Sequence, residues 1–171
     1  MAFPDAPSST LFGFPFRTQA EVVEGSVVAF GAPLQSAAPR RPGSEAGPAA
    51  IRETSCDILQ SYLASPSRTA VDLSSGGAKR LRDLDTSSDL GDLPCDGQVS
   101  TDDIDRIAEV AATIAVAGAL PVLLGGDHRV FEGLVRSVTS NERAPAIISF
   151  SDKIVLPSAV DATPLPLAAL A

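Results

Sequence analysis

The sequence predicts an α/β protein built on a three-layer, mostly parallel sheet, and three observations carry that expectation. Short apolar runs that read as strands recur at 26–30 (Ser-Val-Val-Ala-Phe), 120–124 (Leu-Pro-Val-Leu-Leu) and 146–150 (Ala-Ile-Ile-Ser-Phe). Segments with helical spacing stand between them. The links are short, and strands alternating with helices favour a parallel sheet with helices on its faces.

Taken in order, residues 1–25 read as an N-terminal arm, rich in Pro, Ser and Phe near its start. Phe12, Phe14 and Phe16 alternate, which suits an arm lying against an apolar surface. The first strand ends at Gly31-Ala32-Pro33, and a Pro/Gly-rich loop with Arg40 and Arg41 follows. Pro48 suits the first turn of a helix, where its missing N–H costs nothing. That helix is expected to run to about Leu63 with Ile51, Ile58, Leu59 and Tyr62 inward. Residues 64–88 offer only a short apolar Ala70-Val71 and a break at 74–77 (Ser-Ser-Gly-Gly); Leu90 to Leu93 then reads as the end of a second strand.

Ser100 or Thr101 caps the next helix, where Asp102, Asp103 and Asp105 favour the positive N-terminal end. Ile104, Ile107, Val110, Ala111, Ile114 and Ala115 follow the spacing of one buried face, and Gly118 stops the helix. The run 120–124 reads as a buried parallel strand, followed by a helix from about Val130 to Ser140 and the strand 146–150. Residues 26–150 thus form the α/β domain, and 151–171, with three prolines and no period, form a divergent tail.

The chain has 171 residues, 44% hydrophobic and 20% charged, which is one domain's worth of material with a real core. A net charge of −8 repels phosphate backbones, so no nucleic-acid partner is expected. No apolar stretch approaches the length that spans a bilayer, and the first residues lack a basic and an apolar region, so a cytoplasmic chain without a membrane partner is expected. Cys56 and Cys95 are too isolated to build a disulfide framework or a zinc knuckle.

Chemistry concentrates at Gly125-Gly126-Asp127-His128, which carries the only histidine. Two glycines at a strand end let the backbone turn sharply and approach a ligand. The carboxyl end of such a strand is where open α/β sheets place their sites. No nucleophile elbow, dinucleotide fingerprint or phosphate loop accompanies it. The acidic group Asp83, Asp85, Asp89 and Asp92 reads as a solvated loop plus a helix-side carboxylate rather than a cation site.

Several separate segments in one order resemble the ureohydrolase family of arginase, agmatinase and relatives, in its agmatinase-like branch. They are 9–15 (Ser-Thr-Leu-Phe-Gly-Phe-Pro), 27–33 (Val-Val-Ala-Phe-Gly-Ala-Pro), 41–52 (Arg-Pro-Gly-Ser-Glu-Ala-Gly-Pro-Ala-Ala-Ile-Arg), 89–92 (Asp-Leu-Gly-Asp) and 123–128 (Leu-Leu-Gly-Gly-Asp-His). The resemblance implies the N-terminal half of the arginase fold. It also implies two Mn²⁺ ions that lower the pKa of a bridging water, whose hydroxide attacks a guanidinium carbon and releases urea. Such ions want several carboxylates with one or two imidazoles. The family takes these from the Gly-Gly-Asp-His histidine, from an Asp-Ala-His-x-Asp stretch and from a later Asp-x-Asp.

Only His128 remains of that set, as a single vestigial ligand. Where the resemblance places Asp-Ala-His-x-Asp the chain reads Ser151-Asp152-Lys153-Ile154-Val155, and the later Asp-x-Asp has no counterpart. A small hydroxyl residue of the family is replaced by Arg129. Arg129 and Lys153 are expected to repel an ion and to pair with Asp127, Asp152 or Asp92.

The implied reading has no catalytic residue and no cofactor. It is a non-catalytic ureohydrolase-like pseudoenzyme that binds, assembles or regulates, as a homo-oligomer or with a full-length ureohydrolase-like chain. The alternatives are an Mn-dependent guanidino hydrolase completed by another chain, and a decayed gene product without function.

Overall fold

The structure is a computed structural model and describes residues 7–37, 42–64, 70–71, 74–79 and 86–139. Arg40, Arg41, Asp83, Asp85, the run 146–150, and Ser151, Asp152 and Lys153 lie outside the described residues. After two single-turn 3-10 segments in the arm (Leu11–Gly13 and Gln19–Glu21) come β1 (Val27–Ala32), a 3-10 turn at Ser44–Ala46 and α1 (Gly47–Ala64). A two-residue pair, β2 (Ala70–Val71) and β3 (Ala78–Lys79), precedes β4 (Ser88–Asp92) and α2 (Thr101–Val116). β5 (Leu120–Gly125), a 3-10 turn at His128–Val130 and α3 (Phe131–Thr139) complete the order.

The main sheet runs β4-β1-β5, and both pairings are parallel. Strand residues alternate between faces, so Val28, Phe30 and Ala32 meet Ile107, Val110, Ala111 and Ile114 of α2, together with Leu90 and Leu93. Ala29 and Leu124 face the other way, onto Leu11 and Phe14 of the arm. α1 lies on that second face: Phe12 N–H donates to Ser55 Oγ at 2.8 Å, and the Cys56 thiol donates to the Thr10 carbonyl at 3.3 Å. The sheet is therefore covered on both sides, as a parallel sheet requires. β1→α1→β4 and β4→α2→β5 move in opposite directions across the sheet on opposite faces, which gives both the same hand.

The arm adds to the sheet edge. Asp89 N–H donates to the Pro15 carbonyl and Arg17 N–H to the Asp89 carbonyl, so Phe16 bridges β4 in parallel. Phe14 is buried beneath it, whereas Phe16 stays exposed.

α2 follows its sequence closely. Ser100 and Asp103 form a reciprocal capping box, the expected apolar positions through Ile114 are buried, and Gly118 takes a left-handed φ of 75° just past the end. Ala115 is the exception; it faces solvent.

Two expectations are corrected. α1 does not bury Ile51 and Ile58, which are exposed at 42% and 56%; its inward residues include Pro48, Arg52 and Ser55. β5 is parallel but not fully buried: Leu124 is buried, Leu120 is 62% exposed and the residues between are half-buried. The reason is position, since β5 is the last strand of the sheet among the described residues. The break at 74–77 falls between β2 and β3, which pair antiparallel.

Candidate functional site

The loop after β5 lies against the loops that follow β1. Asp127 N–H donates to the Leu34 carbonyl at 2.9 Å. A Cβ on Gly126 would sit 2.4 Å from the Leu34 and Ser44 carbonyl oxygens, and one on Gly125 would sit 2.5 Å from Val130 Cγ2. The glycines are thus needed for close approach to the chain's own backbone and side chains.

Asp127 is the organising side chain of this loop. Its Oδ1 accepts from Arg129 N–H at 2.8 Å, capping the 3-10 turn, and its Oδ2 accepts from the Ser36 hydroxyl. Partial burial pulls its carboxyl upward, but the hydrogen bonds from Ser36 and Arg129, with the nearby His128, hold it below the ordinary aspartate value. His128 is 61% exposed, and its Nδ1 stands 3.5 Å from Asp127 Oδ1. Arg129 meets Asp127 through its backbone, and its side chain is exposed.

A second cluster joins the deeply buried Arg52 and Asp89 to Asp92. Arg52 of α1, 1% exposed, donates Nε to Asp89 Oδ2 at 2.8 Å and Nη2 to Asp89 Oδ1 at 2.9 Å. Its Nη1 reaches Asp92 Oδ1 at 2.5 Å. Asp89 also accepts from Leu11 N–H and Gly91 N–H. Residues three apart on a regular strand point to opposite faces. A bulge undoes this here: β1 advances from Ala29 to Gly31 while β4 advances from Asp89 to Asp92, with Gly91 at a φ of 81°. Both carboxylates are thereby turned toward Arg52. A Cβ on Gly31 would overlap Asp92 Oδ1, so Gly31 clears the path.

Burial opposes the charge on Arg52, and the hydrogen bonds to Asp89 and Asp92 outweigh it, holding its pKa above the ordinary value. Asp89 and Asp92 are therefore neither a solvated loop nor a helix-side carboxylate, as the sequence reading had it, but the two partners of a buried cation. Among the described residues, Asp92 pairs with Arg52. A cleft of about 340 Å³ lies over the group, lined by Ser8, Ser9, Glu53 and Asp92 among others.

The family model described as the arginase family matches residues 25–151. The chain belongs to the arginase family. Over 150 residues it is 28% identical to an agmatinase of Bacillus subtilis (strain 168), covering 88% of this chain and 46% of that protein. It is 31% identical over 121 residues to the mitochondrial guanidino acid hydrolase of Homo sapiens, covering 71% of this chain and 30% of the human protein. Among solved structures, a proclavaminate amidino hydrolase from Streptomyces clavuligerus superposes with a TM-score of 0.58 at 27% identity, over 79% of this chain and 40% of its own. The chain thus spans about half the length, or less, of the relatives it matches. Its fold corresponds to an N-terminal half of the arginase and agmatinase fold.

Against the two-Mn²⁺ centre expected from the family, the described residues offer a poor fit. His128 is solvent-facing, the Asp127 carboxylate is engaged by Ser36 and Arg129, and no third His, Cys, Asp or Glu side chain joins them among the described residues. Hard divalent ions want a convergent set of oxygen and imidazole donors, and one exposed imidazole beside an occupied carboxylate is not such a set.

Proposed function

We propose that this chain is a non-catalytic ureohydrolase-like subunit, acting in the cytoplasm by binding, assembly or regulation rather than by hydrolysing a guanidino compound. One observation carries the reading: His128 stands exposed, and Asp127 beside it already serves the chain's own loops through Ser36 and Arg129. The aligned family ligands read Ser151, Lys153 and Val155, which adds to it. Lys153 and Arg129 would bring fixed positive charge to a place where the family holds cations.

Association is part of the proposal, with a second copy of the chain or with a full-length ureohydrolase-like chain. Its support is the outward side of α1, where Ile51, Ile58 and Leu63 stand exposed on a helix whose inward contacts are made by Arg52 and Ser55.

The test is metal analysis of the purified chain, combined with urea release from agmatine and from arginine. Substoichiometric Mn²⁺ and no urea are expected. Two tightly held Mn²⁺ per chain with urea release would overturn the proposal. Urea appearing only after mixing with a full-length relative would favour the chain-completed hydrolase.

A further inference from the structure

We infer that residues 10–17 of the arm are a strap, latched on Asp89, that opens as one unit and by opening frees the edge of β4. Among the described residues, the hydrogen bonds that tie the strap's backbone to the body end on Asp89, Ser55 and Cys56. Asp89 takes most of them. Its Oδ2 accepts from Leu11 N–H at 2.8 Å, its N–H donates to the Pro15 carbonyl at 3.0 Å, and its carbonyl accepts from Arg17 N–H at 3.1 Å.

Arg52 stands behind two of these anchors. Asp89 Oδ2, which holds Leu11, also accepts from Arg52 Nε at 2.8 Å. The Ser55 hydroxyl, which holds Phe12, donates to the Arg52 carbonyl at 2.7 Å. Covering and latch depend on each other. Asp89 is fully buried with the strap bonded to it, and Leu11 and Phe14 are buried against Ala29 and Leu124. A carboxylate so placed needs its countercharge; without it, lifting the strap returns the charge to water.

Two features make the strap separable from the core. Phe12 is held at φ 49° and ψ 29°, the left-handed region that residues other than glycine rarely adopt, and lifting the strap releases that strain. Only Leu11 and Phe14 of the strap are buried, and few buried apolar contacts mark a segment of low local stability. Closed, the strap bridges β4 at Phe16 on the side away from β1. Open, it leaves that edge bare, and a bare edge is what a second extended chain pairs with.

Residue-resolved amide exchange of the full chain, read by NMR, tests this. In the unsubstituted chain Leu11, Phe12, Arg17 and Asp89 should share one opening equilibrium, larger by about tenfold or more than that of α2 residues 104–111. Ser55→Ala removes the acceptor of Phe12 N–H and should raise exchange about fivefold at Leu11, Phe12 and Arg17 together, with 104–111 unchanged. Arg52→Met should strip the strap of its protection while 104–111 keep theirs. If that variant does not fold, the unsubstituted chain and Ser55→Ala decide. Strap amides that open no more readily than α2 in the unsubstituted chain overturn the inference, because the arm then opens only with the whole fold. So does a Ser55→Ala chain in which Phe12 alone responds or no strap amide does. A folded Arg52→Met chain whose strap stays protected, or loses protection only in step with α2, overturns it as well.

Discussion

Arg52 ties α1 to the β4 bulge through an almost fully buried guanidinium, and Asp89 ties the arm to the same group by accepting from Leu11 N–H. Removing the guanidinium leaves Asp89, fully buried, without its countercharge. Breaking a buried pair on one side costs about 3–5 kcal/mol. Arg52→Met should therefore lower the unfolding free energy by that order in a urea titration. Arg52→Lys should recover only part of the loss, because an ammonium cannot make the two parallel bonds to Asp89. Asp127 gives a pH signature. Its folded pKa is lowered, so the stability it contributes is present above its unfolded value, about 4, and is lost as pH falls through the folded one. Asp127→Asn should flatten that part of a stability-versus-pH curve, and Ser36→Ala should shrink it. Cys95 is pushed up to about 12, by burial first and by the Asp103 carboxylate next. At pH 8 it should resist iodoacetamide in the native chain and react once the chain is unfolded, as mass spectrometry of labelled peptides would report.

Among the elements, α2 was legible and α1 was not. In α2 the apolar period, the Ser100 cap and the Gly118 stop all agree, and the helix buries what its sequence says it should. In α1 the apolar residues Ile51 and Ile58 mislead, because the inward side is chosen by Arg52. Its partners are 37 and 40 residues away, and a bulge turns both of them to one side. No local pattern announces such a choice. The motif after β5 was found for its glycines and histidine, yet the glycines serve contact with Leu34, Ser44 and Val130. Gly126→Ala should consequently be costly, on the order of 1–3 kcal/mol as for other overpacked sites, since two backbone carbonyls must move. A lowered thermal midpoint with an unchanged far-UV spectrum is the expected result.

For the whole molecule, membership of the arginase family joins a sheet covered by helices on both sides to a loop that its own side chains hold in place. The strand order was not legible, since β1 lies between β4 and β5 and sequence alone does not say which strands are neighbours. The central claim, that His128 and Asp127 do not serve a metal in this chain, has a direct thermodynamic consequence. A ligand that binds the folded state raises its stability by RT ln(1 + [L]/Kd), about 2.7 kcal/mol at a hundredfold excess over Kd. The decisive measurement is the thermal midpoint of the chain in EDTA and across a Mn²⁺ titration. The account predicts the same midpoint throughout; a saturable upward shift with Mn²⁺, abolished by His128→Ala, would contradict it.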